Sequence, residues 1–199
     1  IARDIGADPV VVFQTAAATV ELRNSAGTLM DTGTVKFYSD SWRTIGDTAN
    51  GRVVKELLPR TYTFRMIYEG GSINIGRNIS TDPVIVFQTA AAVVELRNSS
   101  NNLMDTGTVK FYSDSWRTIG DTANGRVVKE LLPRTYTFKM IYEGGSKDIA
   151  RDISADPVIV FQTAAATVEL RNSAGTLMDT GTVKFYSDSW RTIGDTADW

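Results

Sequence analysis

The residue types that most often do chemistry are thin here, and two are missing. The chain of 199 residues has no His and no Cys. Without His it lacks the usual general base near neutral pH and the commonest zinc ligand. Without Cys it lacks thiol nucleophiles, disulfides and iron–sulfur ligation. Oxygen chemistry is what remains. Asp40, Asp47 and Asn50 stand near turns, where Ca2+ favours such oxygen ligands. No Asp-x-Asp-x-Asp-Gly loop accompanies them, and Asp and Asn in turns ordinarily cap their own backbone. Ser39-Asp40-Ser41 has no base partner, and Gly-x-Ser-x-Gly is absent. Glu56 and Glu69 show no distinctive pairing, whereas glycoside cleavage needs two carboxylates across a cleft. These residues predict a non-enzyme with no cofactor and no metal.

Aromatic side chains are the better binding candidates. Tyr38, Trp42, Tyr62 and Tyr68 recur later in the chain. A tryptophan beside a turn can stack on a sugar ring, which would make Tyr38, Trp42, Tyr112 and Trp116 a ligand surface. Core or inter-sheet packing is the plainer use for these rings, because buried aromatics dominate the energetics of small sandwiches. Asn78-Ile79-Ser80 and Asn98-Ser99-Ser100 also fit the glycosylation acceptor pattern.

The elements that must position these residues are organised by a repeat. Val-Phe-Gln-Thr-Ala-Ala-Ala begins at Val12, Val86 and Val160, an offset of 74 residues each time. Positions 12–85 and 86–159 agree at 64 of 74 places, so a whole domain, rather than a hairpin, is the repeating unit. The third copy follows the first from Val160 to Ala197 and departs at Asp198 and Trp199. Turns vary, as where Ala26-Gly27-Thr28 becomes Ser100-Asn101-Asn102, while most of the apolar pattern is kept.

Within one repeat the hydrophobic period is two. Val20 and Leu22 share a face, with Glu21 and Arg23 on the other; Val35 and Phe37 oppose Lys36 and Tyr38. Trp42–Thr48 and Gly51–Leu57 read as strands joined through Asn50-Gly51, a pair suited to a tight turn with positive φ. Tyr62, Phe64, Met66 and Tyr68 alternate along the longest strand, and Gly70-Gly71 turns it. Ser72–Ile79 and Val84–Thr89 close the unit. Ala16-Ala17-Ala18 lies among β-branched neighbours without caps, and reads as strand or linker. The pattern predicts an all-β protein of tandem β-sandwiches, each of seven short antiparallel strands.

Residues 47–64, Asp-Thr-Ala-Asn-Gly-Arg-Val-Val-Lys-Glu-Leu-Leu-Pro-Arg-Thr-Tyr-Thr-Phe, recur at 121–138. They resemble the D-A-N-G … L-P-G-T-Y-x-F signature of collagen-adhesin B-type and carboxypeptidase-regulatory-like domains of bacterial surface proteins. Arg60 stands where that family usually has Gly. The resemblance implies tandem seven-stranded Ig-like, transthyretin-like β-sandwiches in an extracellular stalk. Members of the family often form a Lys–Asn isopeptide bond from a first-strand Lys. Here the first strand carries Glu21 and Arg23, with Arg97 and Arg171 at the equivalent place. Arginine offers no nucleophilic amine at accessible pH, and Lys36 falls on the outer face, so no such bond is expected.

Boundaries fall near Thr89/Ala90 and Thr163/Ala164, giving complete domains at 16–89 and 90–163. Residues 1–15 then close a preceding repeat, and 164–199 open an incomplete one. No Gly/Ser-rich linker separates the units, which predicts a semi-rigid rod. The two end pieces fall 23 residues short of a joined repeat. The chain accordingly reads as part of a longer array or as a subunit completed by a neighbour. In the second case Val10, Val12 and Phe13 would pair with a piece exposing Val168, Leu170, Val183 and Phe185, and chains would add head to tail. The start, Ile1-Ala2-Arg3-Asp4, has neither Met nor a signal-peptide apolar region, as in a mature product or fragment.

Charge and hydropathy set the surroundings. Lys and Arg number 21 against 23 Asp and Glu, so nothing in the balance points to nucleic acid. The longest unbroken apolar run, Ala90–Val94, cannot cross a bilayer. The expected partners are further copies or neighbouring repeats of itself, then a surface glycan or host cell-surface protein. The expected location is extracellular or at the cell surface. Stalk, adhesin spacer or fibre is the leading reading. A filament subunit built by strand complementation and a carbohydrate-binding module are the alternatives.

Overall fold

The computed structural model describes residues 10–196, and every regular element among them is a strand. Of the piece 1–15 expected to close a preceding repeat, residues 1–9 lie outside the described residues. Contacts divide the chain into two units. The first takes the chain up to Ala91 together with Glu130–Arg134; the second takes Ala92–Lys129 and the chain from Thr135.

The first unit contains β1 (Ala16–Arg23), β2 (Thr34–Tyr38), β3 (Trp42–Asp47), β4 (Arg52–Leu57), β5 (Thr61–Tyr68), β6 (Gly71–Asn78) and β7 (Val84–Gln88). They form a three-stranded sheet in the order β4-β1-β7 and a four-stranded sheet in the order β3-β2-β5-β6. The alternation read from the sequence decides what fills the space between them. Val20, Leu22, Ile85 and Phe87 from one sheet join Val35, Phe37, Tyr62, Phe64, Met66 and Tyr68 from the other in one buried cluster. Each large apolar side chain buried this way contributes about 1.5–3 kcal/mol, which makes this face-to-face packing the main driving force.

Two features depart from a simple antiparallel reading. β7 pairs with β1 in parallel, Thr19 opposite Val84 through Arg23 opposite Gln88. The chain reaches β7 by crossing from the other sheet, so no hairpin fixes its direction. Asn50 and Gly51 do take positive φ, 52° and 76°. The strands that this turn joins nevertheless part into different sheets, and only the Ala49–Arg52 bridge closes it. Glycine is required at Gly51, since a Cβ there would lie 2.3 Å from the Cβ of Leu29. The hairpin between β5 and β6 turns at Glu69-Gly70, one residue earlier than the glycine pair implies.

The first unit also holds the short segment Glu130–Arg134. Leu132 is fully buried in the cluster just described. Glu130 accepts hydrogen bonds from Ser25 N–H (3.1 Å), from Ser25 Oγ (2.5 Å) and from the Thr89 hydroxyl. Burial, with Glu69 and Glu130 nearby, pushes the Tyr68 phenol up from its ordinary value.

The second unit repeats the design with β8 (Ala90–Arg97), β9 (Thr108–Tyr112), β10 (Trp116–Asp121), β11 (Arg126–Leu131), β12 (Thr135–Tyr142), β13 (Gly145–Asp152) and β14 (Val158–Gln162). The sheet orders are β11-β8-β14 and β10-β9-β12-β13. β15 (Thr182–Tyr186) and β16 (Trp190–Asp195) follow as a separate two-stranded hairpin.

Candidate functional site

The recurring aromatic residues separate into two sets. Tyr62 and Tyr68 point into the core, as packing requires. Tyr38 and Trp42 do not, which corrects the expectation of core packing for them. In β2 the buried residues are Val35 and Phe37, so Lys36 and Tyr38 lie on the outer face of the four-stranded sheet. Tyr38 is directly opposite Trp42, and the rings meet edge to face at 5.4 Å. Tyr112 and Trp116 repeat the pair at 5.5 Å, as do Tyr186 and Trp190.

A cation covers the tryptophan in both complete repeats. The Arg65 guanidinium lies 3.9 Å from the Trp42 ring centre, and Lys139 Nζ lies 4.4 Å from that of Trp116. Each cation is held from the neighbouring strand. Arg65 Nε donates to Asn74 Oδ1 at 2.9 Å, and Lys139 Nζ pairs with Asp148 Oδ1 at 3.7 Å. Sequence reading did not find these partners. The signal was present, because Arg65/Lys139 and Asn74/Asp148 are among the positions that differ between repeats and they change together. A ring face occupied by a cation is less open to a sugar. Trp190, at 70% exposure, is the most open of the tryptophans described.

The oxygen ligands near turns serve their own loops. Asp40 accepts from Ser39 Oγ (2.8 Å) and from Arg43 Nη2 (3.0 Å), and Asp47 accepts from Thr34 Oγ1 (2.6 Å). These contacts, the Ser39 hydroxyl first, bring the Asp40 carboxyl down to about 2. Among the described residues no three acidic side chains gather as a metal-binding set. Asn78 and Asn98 also cap turns, accepting from Ser80 N–H and Ser100 N–H. Glu21 overturns its expected place on an open face. β1 is the middle strand of its sheet, and the side chain is buried beneath Arg23 (2.5 Å) and Arg52 (3.1 Å). Glu95 has the same arrangement with Arg97 and Arg126.

The candidate assembly residues lie on three segments. Val10, Val12 and Phe13 are exposed and belong to no strand. Val168 and Leu170 are exposed on another segment without a strand, and Val183 and Phe185 are half-buried on β15.

The strands and sheets define a class, an all-β protein of tandem Ig-like β-sandwiches. No protein-family model matches the chain, and no curated protein matches it. Among solved structures it is similar to the Bacillus anthracis TIE protein, at 9% identity over 92% of this chain and 42% of that one, with a TM-score of 0.31. It is similar to the shaft pilin spaA from Lactobacillus rhamnosus GG at 10% identity over 78% and 99% of the two chains, with a TM-score of 0.30. The Streptococcal ancillary pilin matches at 12% identity over 77% and 63%, with a TM-score of 0.31. The chain spans less than half the length of the first of these. No helix among the described residues is long and apolar enough to cross a membrane.

Proposed function

We propose that this chain is a non-enzymatic structural segment of tandem β-sandwich repeats, serving as a stalk, adhesin spacer or fibre section of an extracellular or cell-surface protein. One observation carries the reading. β7 ends at Gln88 and β8 begins at Ala90, so Thr89 alone joins one seven-stranded set to the next. Thr89 is itself buried and donates its N–H to the Arg23 carbonyl at 2.9 Å. A one-residue connection is far shorter than a flexible Gly/Ser-rich linker. On this reading 16–89 and 90–163 are the repeating domains. The resemblance of 47–64 to adhesin domains supports the surface setting.

Small-angle scattering tests it. The chain, and a version lengthened by one further 74-residue repeat, are expected to differ in maximum dimension by one domain length. A compact particle whose longest dimension does not grow would overturn the proposal.

A further inference from the structure

The outer face of each four-stranded sheet sets two like charges against each other. Lys36 of β2 stands directly opposite Arg65 of β5, and Lys110 of β9 directly opposite Lys139 of β12. Like charges in such cross-strand positions repel and cost stability. Arg65 is held by Asn74 and Lys139 by Asp148. Lys36 and Lys110 are half-buried and have no hydrogen bond or ion pair among the described residues. Both repeats thus keep an uncompensated cation where a neutral side chain would suit the sheet better.

The cations have room in front of them. Lys110, Trp116, Lys139, Ile141, Gly144 and Ser146 line an open depression of about 360 Å3. Ligand pockets span about 300–1,000 Å3. All six residues belong to the complete sheet β10-β9-β12-β13 or to the turn between its last two strands. The first repeat carries the same set, with Arg65 in place of Lys139. Tyr38 and Tyr112, each 45% exposed, stand beside the tryptophans. A cation pair next to an exposed aromatic ring suits a molecule with one negative charge and an apolar ring face.

We propose that this outer face binds an acidic polysaccharide through its uronate rings. The carboxylate lies between the two opposed cations and accepts a hydrogen bond from each. The cation over the tryptophan shields that ring, so the sugar is held by its acid group and its apolar face rests on the tyrosine. A uronate brings one charge per ring, which one cation pair neutralises. A chain of net charge −2 disfavours a more densely charged polyanion, and an acidic peptide offers no sugar face to the tyrosine. The two repeats differ in strength. Across the first sheet the row runs Thr44, Lys36, Arg65, Asn74, with two positive charges and no acid. Across the second it runs Thr118, Lys110, Lys139, Asp148, where the aspartate cancels one charge. The first repeat is therefore the tighter site. This binding role goes beyond the structural-repeat reading and does not depend on it.

Titrating oligogalacturonate into the full chain, with NMR shifts as the readout, tests the site. Shifts should appear first at Lys36, Tyr38 and Arg65, then at Lys110, Tyr112 and Lys139, and should weaken with added salt. The fully methyl-esterified oligomer, with the same rings and no charge, should leave them unmoved. Lys36→Gln should weaken the first site by about tenfold, as loss of a charged hydrogen bond does. Asn74→Asp should weaken it by about fivefold, the effect of a unit charge about 4 Å away in water. Asp148→Asn should strengthen the second site by a similar factor. Lys36→Gln also relieves the repulsion from Arg65, so its thermal midpoint should be no lower than that of the wild type, which separates lost binding from lost fold. No shifts at millimolar oligogalacturonate would overturn the site. So would equal binding of the methyl ester, or unchanged affinity in Lys36→Gln or Asn74→Asp. Polyglutamate binding as tightly as the sugar would assign the face to acidic peptide and overturn the polysaccharide.

Discussion

Ala16–Arg23 and Ala164–Arg171 are the same octapeptide, and only the first is a strand. β1 lies between β4, antiparallel, and β7, parallel, and both ladders run along it. The later copy keeps only the bridge from Arg171 to Leu177. Val20 has no exposed surface while Val168 is 52% exposed. The next hairpin behaves differently. β15 and β16 pair as β2 and β3 do, with the same register shift after the valine. Contacts close in sequence therefore form in both places, whereas a strand whose partners lie far along the chain forms only where those partners exist. β-propensity measures fit to neighbours more than a backbone preference, and here one peptide shows both outcomes.

The sharpest way to break this comparison is to supply the partners. Replacing Asp198-Trp199 by Asn-Gly and continuing with the sequence of residues 52–89 provides counterparts of β4 to β7. The amides of Val168 and Leu170 should then gain hydrogen-exchange protection, from near zero toward a global stability of about 5–15 kcal/mol. Exchange left unchanged by the added strands would show that the octapeptide is held open by something else. Next in size is a matched truncation. Leu22→Ala should cost about 2–5 kcal/mol in urea unfolding, because it empties a fully buried site. Leu170→Ala should change stability by about 0.5 kcal/mol, as at a surface position.

How far the sequence could be read follows the same line. Alternation placed Tyr62, Phe64, Met66 and Tyr68 inward, and the structure buries all four. Asn50-Gly51 was legible as a turn because its φ values are local. The outward aim of Tyr38 and Trp42 was harder to see. Two aromatic residues at a strand end satisfy packing or exposure equally until the partner strand adds Arg65. Burial of Glu21 was not legible, because it depends on Arg52 of β4 reaching across the sheet. Nor was the insertion of Leu132, because the identical Leu58 stays outside.

The buried carboxylate gives a smaller contrast of the same kind. Glu21 has a side chain 7% exposed and two guanidinium partners; Glu169 is 48% exposed and is bonded to Arg171. Glu21→Gln keeps the shape but removes the charge under both arginines, and should cost about 1–3 kcal/mol. Glu169→Gln should cost about 0–1 kcal/mol, as for an exposed pair. Equal losses in thermal unfolding would mean that the second arginine and the burial do not matter.

The smallest expected effect concerns a turn that both regions share. Asp40 and Asp188 occupy the same Ser-Asp-Ser loop, and both carboxyls lie below the ordinary 3.8, Asp40 at about 2. A lowered folded value means that each carboxylate adds stability above pH 3.8, and Asp40 loses that contribution as the pH falls toward about 2. The leading cause differs between the loops. For Asp40 it is the Ser39 hydroxyl; for Asp188 it is the bond from Arg191. Arg191 is also held by Glu143 at 3.3 Å, and so is positioned against Asp188 from both sides. Carboxyl titration by NMR should therefore show Ser39→Ala raising Asp40, and Arg191→Ala raising Asp188 more than Ser187→Ala does. If Ser187→Ala raises Asp188 as much as Arg191→Ala does, the Glu143 contact does not orient Arg191, and the local turn is indifferent to what the chain builds around it.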